Sequence, residues 1–407
     1  MSEPTIVEKK SSNKNLSSAK KAKNDEFYTQ YADIEKEMNT YLEYNPDVFR
    51  NKTIFLPCDD PEWSNFTRFF AQNFERFGLK KLISTSYARN SKEYTSTIQL
   101  SKIEVNSPKY DTTKTDSRGK IYTLTYDRTG DGRINFEDFE WEYLEGDGDF
   151  RSEEVQNLRD EADIIITNPP FSLFREFLAW IVEANKKFAI IGNMNAITYK
   201  EVFPLIKENK LWLGPTISSG DREFRVPDEY PINAIGWRID EDGQKYLRIK
   251  GVRWFTNLDH GRRHLPLPLM TMEDNLKYSK HKEIKDKESY THYDNYDAIE
   301  IPFTDAIPSD YKWVMGVPIS FLDKYSPEQF FILWATQRGC HDEVPDIKKY
   351  NDYWEMKQNG EKTGSSGWKT NENANLVEND WKKNYFINKE WRIVQSAYQR
   401  IFIKHKN

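Results

Sequence analysis

The run Ala162-Asp163-Ile164-Ile165-Ile166-Thr167-Asn168-Pro169-Pro170-Phe171 constrains this chain more than any other stretch. Three isoleucines and a β-branched threonine predict a buried strand. The asparagine, two prolines and aromatic that follow stop it at a rigid corner. Chemistry is expected there. The Asn168 amide oxygen and the Pro169 carbonyl both accept hydrogen bonds from one amino group, the prolines fix the backbone that aims them, and Phe171 stacks on a flat ring. Such a corner suits an exocyclic amine on a planar base. The competing reading is a plain strand-to-helix turn, for which Pro-Pro is common.

The corner sits in a chain that alternates strand and helix signals. Thr53-Ile54-Phe55-Leu56 reads as a short buried strand, followed by Pro57-Cys58-Asp59-Asp60-Pro61-Glu62-Trp63-Ser64-Asn65-Phe66 and a helix through Phe69, Phe70 and Phe74. A first strand running into a tight loop and helix is where an open α/β sheet holds its cofactor. Lys81-Leu82-Ile83-Ser84-Thr85 is a second strand without the acidic terminal residue that would grip a ribose, so no ribose ligand is assigned. Beyond the corner, Phe174, Phe177, Leu178, Ile181 and Val182 stripe a helix and belong to the core. Phe188-Ala189-Ile190-Ile191-Gly192 is a further strand, Val202, Leu205 and Ile206 mark a short helix, and Leu211-Trp212-Leu213 a last strand. The expected class is α/β, with the loop at Asp59-Asp60-Pro61 and the Asn168 corner on the carboxyl edge where such sheets bind ligands.

With 407 residues there is room for two or three domains. A hydrophobic content of 37% and a mean hydropathy of -0.84 are polar for an enzyme, and the 14% aromatic content supplies the bulky core material. No run approaches the roughly 18 apolar residues of a membrane span and no apolar signal region opens the chain, so a cytoplasmic protein is expected. Cys58 and Cys340 are too few for a disulfide framework or a cysteine-rich zinc site. The net charge of -6 argues against a generic nucleic-acid coat. A local basic surface is still compatible with DNA: residues 140–163 are strongly acidic, whereas Arg253, Arg262, Arg263 and His264 cluster later.

Residues 1–24 are rich in Ser, Asn and Lys without periodicity and read as a disordered basic tail. Ile34, Met38, Tyr41 and Leu42 then repeat at helical spacing. Residues 87–145 read as an inserted hairpin or long loop within a core spanning 25–215. Inside it, Asp127-Arg128-Thr129-Gly130-Asp131-Gly132-Arg133-Ile134-Asn135-Phe136-Glu137-Asp138 matches a calcium-binding EF-hand loop in part. Position three is Thr129, position twelve is Asp138, and the preceding segment looks like a strand; a Gly-rich turn is preferred and no metal is assigned. Residues 216–340 are β-rich and aromatic, 341–378 read as a flexible insertion around Asn359-Gly360-Glu361-Lys362-Thr363-Gly364-Ser365-Ser366-Gly367, and 379–407 form a C-terminal segment.

Asn-Asp-Glu-Phe-Tyr-Thr at 24–29, Cys-Asp-Asp-Pro-x-Trp-Ser-Asn-Phe at 58–66, Gly-Asp-Gly-Asp-Phe-Arg-Ser at 146–152 and the Asn-Pro-Pro-Phe corner occur in that order. Together with the distal half, they resemble the EcoRI-type adenine-specific DNA methyltransferases, from about 24 to 335 with an echo at Tyr398-Gln399-Arg400-Ile401. The resemblance implies a Rossmann-like S-adenosylmethionine-dependent methyltransferase sheet and a β-rich target-recognition region at 216–340. It implies catalysis by Asn168, Pro169, Pro170 and Phe171, and cofactor binding by Phe27, Tyr28, Thr29, Asp59, Asp60, Pro61, Asp149 and Phe150. Double-stranded DNA is the implied partner, with a restriction endonuclease for the same site as a possible second. Gln30 stands where the family's proline usually stands, and both glycines of the usual Asp-Pro-Phe-x-Gly-x-Gly loop are missing, so acidic side chains would hold the cofactor's ammonium instead. Arg253, Arg262 and Arg263 are candidates for phosphate or guanine contacts; a solvated basic face is the alternative.

Adenine N6 is a poor nucleophile because its lone pair is delocalised. Accepting its two hydrogens at Asn168 and Pro169 favours a pyramidal nitrogen whose lone pair is localised for attack. The adenine must first leave the duplex. Three rival readings are distinguishable. Pro57-Cys58 looks superficially like a cytosine-C5 nucleophile, but it follows the first strand and lacks the glutamate partner motif. Glutamine methyltransferases of release factors also use Asn-Pro-Pro, generally with Tyr where Phe171 stands. A degenerate, non-catalytic DNA-binding protein would bind no cofactor.

Overall fold

The computed structural model describes residues 29–59, 64–88, 107–218, 221–226, 236–336, 347–366, 370–377 and 383–406. The expected basic tail at 1–24, and Phe27, Tyr28, Asp60 and Pro61, lie outside these residues. Contacts divide the chain into two compact units, one of 1–194 with 219–259 and the other of 195–218 with 260–407.

The first unit opens with helix α1 (Tyr31–Tyr44), in which Ile34, Met38 and Tyr41 recur at spacings of four and three and bury one stripe. The Tyr41 hydroxyl donates to Glu37 at 2.6 Å inside that stripe. Burial, followed by the neighbouring Glu37 charge, raises the Tyr41 pKa well above its ordinary value. Strand β1 (Thr53–Leu56) is buried at every position, the pattern of a central parallel strand covered on both faces. Helix α2 (Asn65–Gln72) follows, capped by Ser64, whose hydroxyl accepts from Phe66 N at 3.1 Å. Its Phe69 and Phe70 meet edge to face with centroids 5.3 Å apart.

The sheet continues through β2 (Lys81–Ser86), β3 (Lys120–Leu124), β4 (Glu140–Tyr143), β5 (Ile164–Thr167) and β6 (Lys187–Asn193), with α3 (Glu153–Glu161) before β5 and α4 (Phe174–Glu183) after it. Three short strands, β7 (Asp221–Val226), β8 (Trp237–Ile239) and β9 (Lys245–Lys250), form a separate antiparallel sheet in the order β7-β9-β8, and β10 (Val252–Thr256) follows them. The large sheet of this unit runs β4-β3-β2-β1-β5-β6-β10. The β1–β2, β1–β5 and β5–β6 pairs are parallel. The β2–β3, β3–β4 and β6–β10 pairs are antiparallel. Asp163 ties the starts of β1 and β5 together: its Oδ2 accepts from Thr53 N at 2.8 Å, and its own N–H donates to the Thr53 carbonyl at 2.9 Å.

Within the insertion expected at 87–145, β3 pairs with β2 from Leu82↔Leu124 to Ser86↔Lys120 and widens the central sheet. The boundary expected at 215/216 is not where the contacts divide: β10 pairs with β6 from Val252↔Asn193 to Thr256↔Ala189 and is fully buried. The loop joining β3 to β4 is strand-flanked, and its acids serve its own backbone. Asp127 accepts from Gly130 N and Gly132 N at 2.6 and 2.8 Å, and Asp138 accepts from Arg128 N, Thr129 N and Asn135 N at 3.0, 2.9 and 2.9 Å.

The second unit holds two sheets. Strands β11 (Ile299–Glu300), β12 (Met315–Pro318), β13 (Phe330–Ala335) and the last strand, β19 (Arg400–His405), form one in the order β11-β12-β19-β13. Arg400–His405, near the C-terminus, is thus an inner strand. Strands β14 (Trp354–Met356), β15 (Lys362–Ser366), β16 (Asn375–Leu376), β17 (Tyr385–Ile387) and β18 (Ile393–Ser396) form the other. β14 and β15 make an antiparallel hairpin where the Gly/Ser-rich composition predicted a flexible insertion. The turn that closes it has Gly360 at φ 80° and Lys357 N donating to the Glu361 carbonyl at 2.7 Å. Among the described residues, no helix is long and apolar enough to cross a membrane.

Candidate active site

Strand order decides where the site lies. From β1 the chain passes to β2 on one side, and it later returns to β5 on the other side before moving outward to β6. The carboxyl ends of β1 and β5 therefore flank the point where the order reverses, and open α/β sheets bind ligands in that crevice. The 57–59 loop leaves β1 at this edge, and the Asn168 corner leaves β5 at the same edge, because the two strands are parallel.

Hydroxyls from three directions hold the 57–59 loop. Ser84 Oγ donates to the Asp59 carbonyl at 3.1 Å and Thr85 Oγ1 to the Pro57 carbonyl at 3.1 Å, so β2 anchors the loop backbone. The Asp59 carboxylate accepts from Ser64 Oγ at 2.7 Å on one oxygen and from Thr167 Oγ1 at 2.6 Å on the other. Sequence reasoning overlooked Ser84, Thr85, Ser64 and Thr167. The available signal was a set of hydroxyls in strands otherwise built for burial, since a buried hydroxyl needs a partner.

Thr29 joins the same cluster: its carbonyl accepts from Asn65 Nδ2 at 2.7 Å, at the first turn of α2. Its hydroxyl is buried and has no hydrogen-bond partner among the described residues. A buried hydroxyl left this way fits a bound polar molecule at the head of the first strand.

Asn168 is 6% exposed, and Pro169 and Pro170 are buried, so the corner is rigid as well as concealed. Phe171 is half-buried and opens a 3₁₀ turn, Phe171–Leu173, in which Leu173 N donates to the Pro170 carbonyl at 2.9 Å. Its ring meets Phe224 of β7 edge-on with centroids 6.5 Å apart. Phe224, Leu247 and Trp237 are cross-strand partners and share one face of the small sheet, as do Val226, Lys245 and Ile239. Trp237 and Ile239, at 47% and 50% exposure, extend that apolar face into solvent. Sequence reading assigned neither a role.

The loop that carries Asp149 and Phe150 packs against β2. Gly148, at φ 86°, brings this loop against the end of β2: a Cβ there would stand 2.4 Å from the Ser86 carbonyl oxygen. Gly148→Ala is therefore expected to cost on the order of 3 kcal/mol, from backbone strain and overpacking together, measured as a lower urea midpoint. Asp149 is paired with Arg151 through Nε at 2.9 Å and Nη2 at 2.6 Å, which raises the Arg151 pKa. The Phe150 ring is buried against Phe177 and Trp180 at 5.1 and 5.6 Å.

The three arginines expected on DNA differ in burial and in their partners. Arg253 is 4% exposed on β10, with Nη1 donating to the Val252 carbonyl at 2.8 Å. Arg263, in the second unit, is 6% exposed, lies over the Trp212 ring at 3.9 Å and donates to Asn209. Both are held in packing, and a phosphate arriving from solvent does not reach them in this conformation. Arg262 is half-buried, with Nη1 on the Pro215 carbonyl at 2.6 Å.

Comparison with known proteins bears on the reading of this corner. The family model described as adenine-specific methyltransferase EcoRI matches residues 15–406. The chain is 43% identical over 321 residues to the Type II methyltransferase M.EcoRI of Escherichia coli, covering 79% of this chain and 89% of that protein. It is 32% identical over 320 residues to the Type II methyltransferase M.MpnI of Mycoplasma pneumoniae, covering 77% and 83%. It is 34% identical over 314 residues to M.MgeORF184P of Mycoplasma genitalium, covering 77% and 83%. No solved structure matches it significantly. With a match over nearly the whole chain and an intact Asn-Pro-Pro-Phe corner, this protein belongs to the EcoRI-type family of adenine-specific methyltransferases.

Proposed function

We propose that this site-specific DNA adenine methyltransferase moves a methyl group from S-adenosylmethionine to N6 of an adenine flipped out of double-stranded DNA, on a Rossmann-like sheet. The observation that carries the proposal is the meeting of the 57–59 loop and the Asn168 corner at one reversal of strand order, bridged by the Asp59–Thr167 hydrogen bond.

S-adenosylmethionine, when bound, supplies an electrophilic methyl group on a sulfonium. Thr29 and the acidic loop at Asp59, with Phe27, Tyr28, Asp60 and Pro61 beside them in sequence, are the residues proposed to hold it. The orphaned Thr29 hydroxyl supports this assignment. Asn168 Oδ1 and the Pro169 carbonyl accept the two N6 hydrogens, Pro170 fixes the backbone, and Phe171 stacks on the extruded ring. Unstacking costs a few kcal/mol, offset by pocket and backbone contacts. Residues beyond 216 are proposed to read the target, with Trp237 and Ile239 as an apolar edge near the corner and Arg262 as a phosphate contact. A restriction endonuclease for the same sequence is the proposed functional partner.

The test is the destination of label from methyl-labelled S-adenosylmethionine offered to mixed-sequence duplex DNA and to a release factor together. Label in DNA, unchanged by Cys58→Ser, is expected; label in the protein would reverse the reading toward a glutamine amide. Label in neither, with no binding of the cofactor on titration, would leave only a DNA-binding role.

A further inference from the structure

The β1–β5 ladder pairs Ile54 with Ile164 and Phe55 with Ile165, and its register goes no further. Thr167 instead pairs with Ile190 of β6 on its other side. Beyond Ile165, β5 is therefore supported by backbone pairing on one flank, while the flank facing β1 opens into the crevice. The Thr167 hydroxyl crosses that opening to Asp59 Oδ2 at 2.6 Å. Both partners are buried, and a hydroxyl-to-carboxylate bond in such surroundings is among the stronger hydrogen bonds a protein makes.

The other Asp59 oxygen accepts from Ser64, the cap of α2, and the next residue, Asn65, holds the Thr29 carbonyl. One carboxylate thus gathers the head of the first strand, the start of α2 and the end of β5. Thr167 is β-branched, so fixing its hydroxyl restricts χ1, and it immediately precedes Asn168. A shift of about 1 Å in a reacting group costs on the order of 10²-fold in rate.

We propose that Thr167 is a positioning residue for methyl transfer: its bond to Asp59 fixes Asn168 relative to the 57–59 loop, so that the acceptor of the amine and the cofactor side of the crevice move as one unit. The proposal rests on the reading of Asn168 as the acceptor of the N6 hydrogens. It assigns to the Asp59 carboxylate a structural coupling in addition to any contact with the cofactor's ammonium.

The experiment is single-turnover methyl transfer to duplex DNA, with S-adenosylmethionine affinity measured by calorimetry, for the full chain carrying Thr167→Val, Thr167→Ser, Asp59→Asn, Thr167→Val with Asp59→Asn, and Asn168→Ala. Thr167→Val is isosteric and is expected to slow transfer by roughly 30- to 100-fold while cofactor affinity stays within about twofold. Thr167→Ser, which restores the hydroxyl, is expected to recover the rate to within about fivefold. The losses of Thr167→Val and Asp59→Asn are expected not to multiply in the double variant. A wild-type rate for Thr167→Val, equal losses for Val and Ser, or multiplying losses would overturn the proposal. If Thr167→Val does not fold, Thr167→Ala against Thr167→Ser supplies the same comparison. Asn168→Ala separates the two readings: a wild-type rate there would remove the acceptor role itself, whatever Thr167 does.

Discussion

Replacing Asn168 by alanine is expected to lower the rate of methyl transfer by roughly 10²–10³-fold, the usual cost of removing one preorganised dipole from the reacting atoms. Cofactor affinity is expected to stay within about threefold, because the 57–59 loop is held from β2, α2 and β5 by bonds that do not use the Asn168 side chain. The loss belongs to the chemical step. With the amide gone, one N6 hydrogen loses its acceptor, the nitrogen stays planar, and its lone pair remains in the ring. Asn168→Asp keeps an oxygen acceptor at the same reach and is expected to retain more of the rate. Rapid-quench single turnovers with saturating DNA check both variants. An alanine variant that bound cofactor normally and transferred methyl at the original rate would place the acceptor elsewhere.

The largest expected effect on stability lies in the second unit. Glu300 of β11 and Arg400 of β19 form an ion pair across the intervening β12, with side chains 9% and 12% exposed. Arg400 donates from Nε at 3.1 and 3.0 Å to the two carboxylate oxygens and from Nη2 at 2.5 Å, and the buried Tyr293 hydroxyl donates to the same carboxylate. Burial works to lower the Arg400 pKa, but the hydrogen bonds and charge of Glu300 outweigh it, and the pKa is raised. Burial, then the Glu300 charge, raises the Tyr293 pKa well above its ordinary value. Removing the carboxylate strands a buried guanidinium and a buried phenol together. Glu300→Ala is therefore expected to destabilise this unit by about 3–5 kcal/mol in urea unfolding. Glu300→Gln, which keeps an acceptor for both partners, should lose less. Equal midpoints for the wild type and Glu300→Ala would mean that the pair contributes nothing net.

The parts of the fold that were legible in the sequence are those where local physics alone decides. Four buried residues ending at Asn-Pro-Pro can only be a strand meeting a corner, and β5 stops at Thr167 as the two prolines require. The first strand and its loop were legible for the same reason, and parallel order then brings the two loops to one edge. What escaped was partnership. Alternation along β3 and β4 announces a hairpin but says nothing of which strand it joins, and here it joins β2. Val252-Arg253-Trp254-Phe255-Thr256 read as part of the β-rich region beyond 216, with Arg253 as a candidate DNA contact; the strand is nevertheless buried beside β6, and an arginine's charge says nothing of its depth. Asn359 to Gly364 has the composition of a linker, yet a glycine at positive φ is also what a tight hairpin turn requires.

The site divides in the same way. The carbonyl and amide oxygens at the corner follow from residue type. The Asp59–Thr167 bond does not, because 108 positions separate its ends and only the sheet brings them together. Phe150 was assigned by its neighbour in a motif; its ring is fixed by a helix that the motif does not mention, through Phe177 and Trp180.

The central claim is that this corner methylates the N6 amine of adenine in DNA. The most direct measurement is enzymatic digestion of mixed-sequence duplex DNA to nucleosides after incubation with S-adenosylmethionine, the methylated products being resolved by mass and retention. N6-methyladenosine as its deoxynucleoside, produced by the wild type and reduced by Asn168→Ala in proportion to the single-turnover rate, is the predicted result. A methylated cytosine in its place, or N6-methyladenine formed equally well without the Asn168 amide, would contradict it.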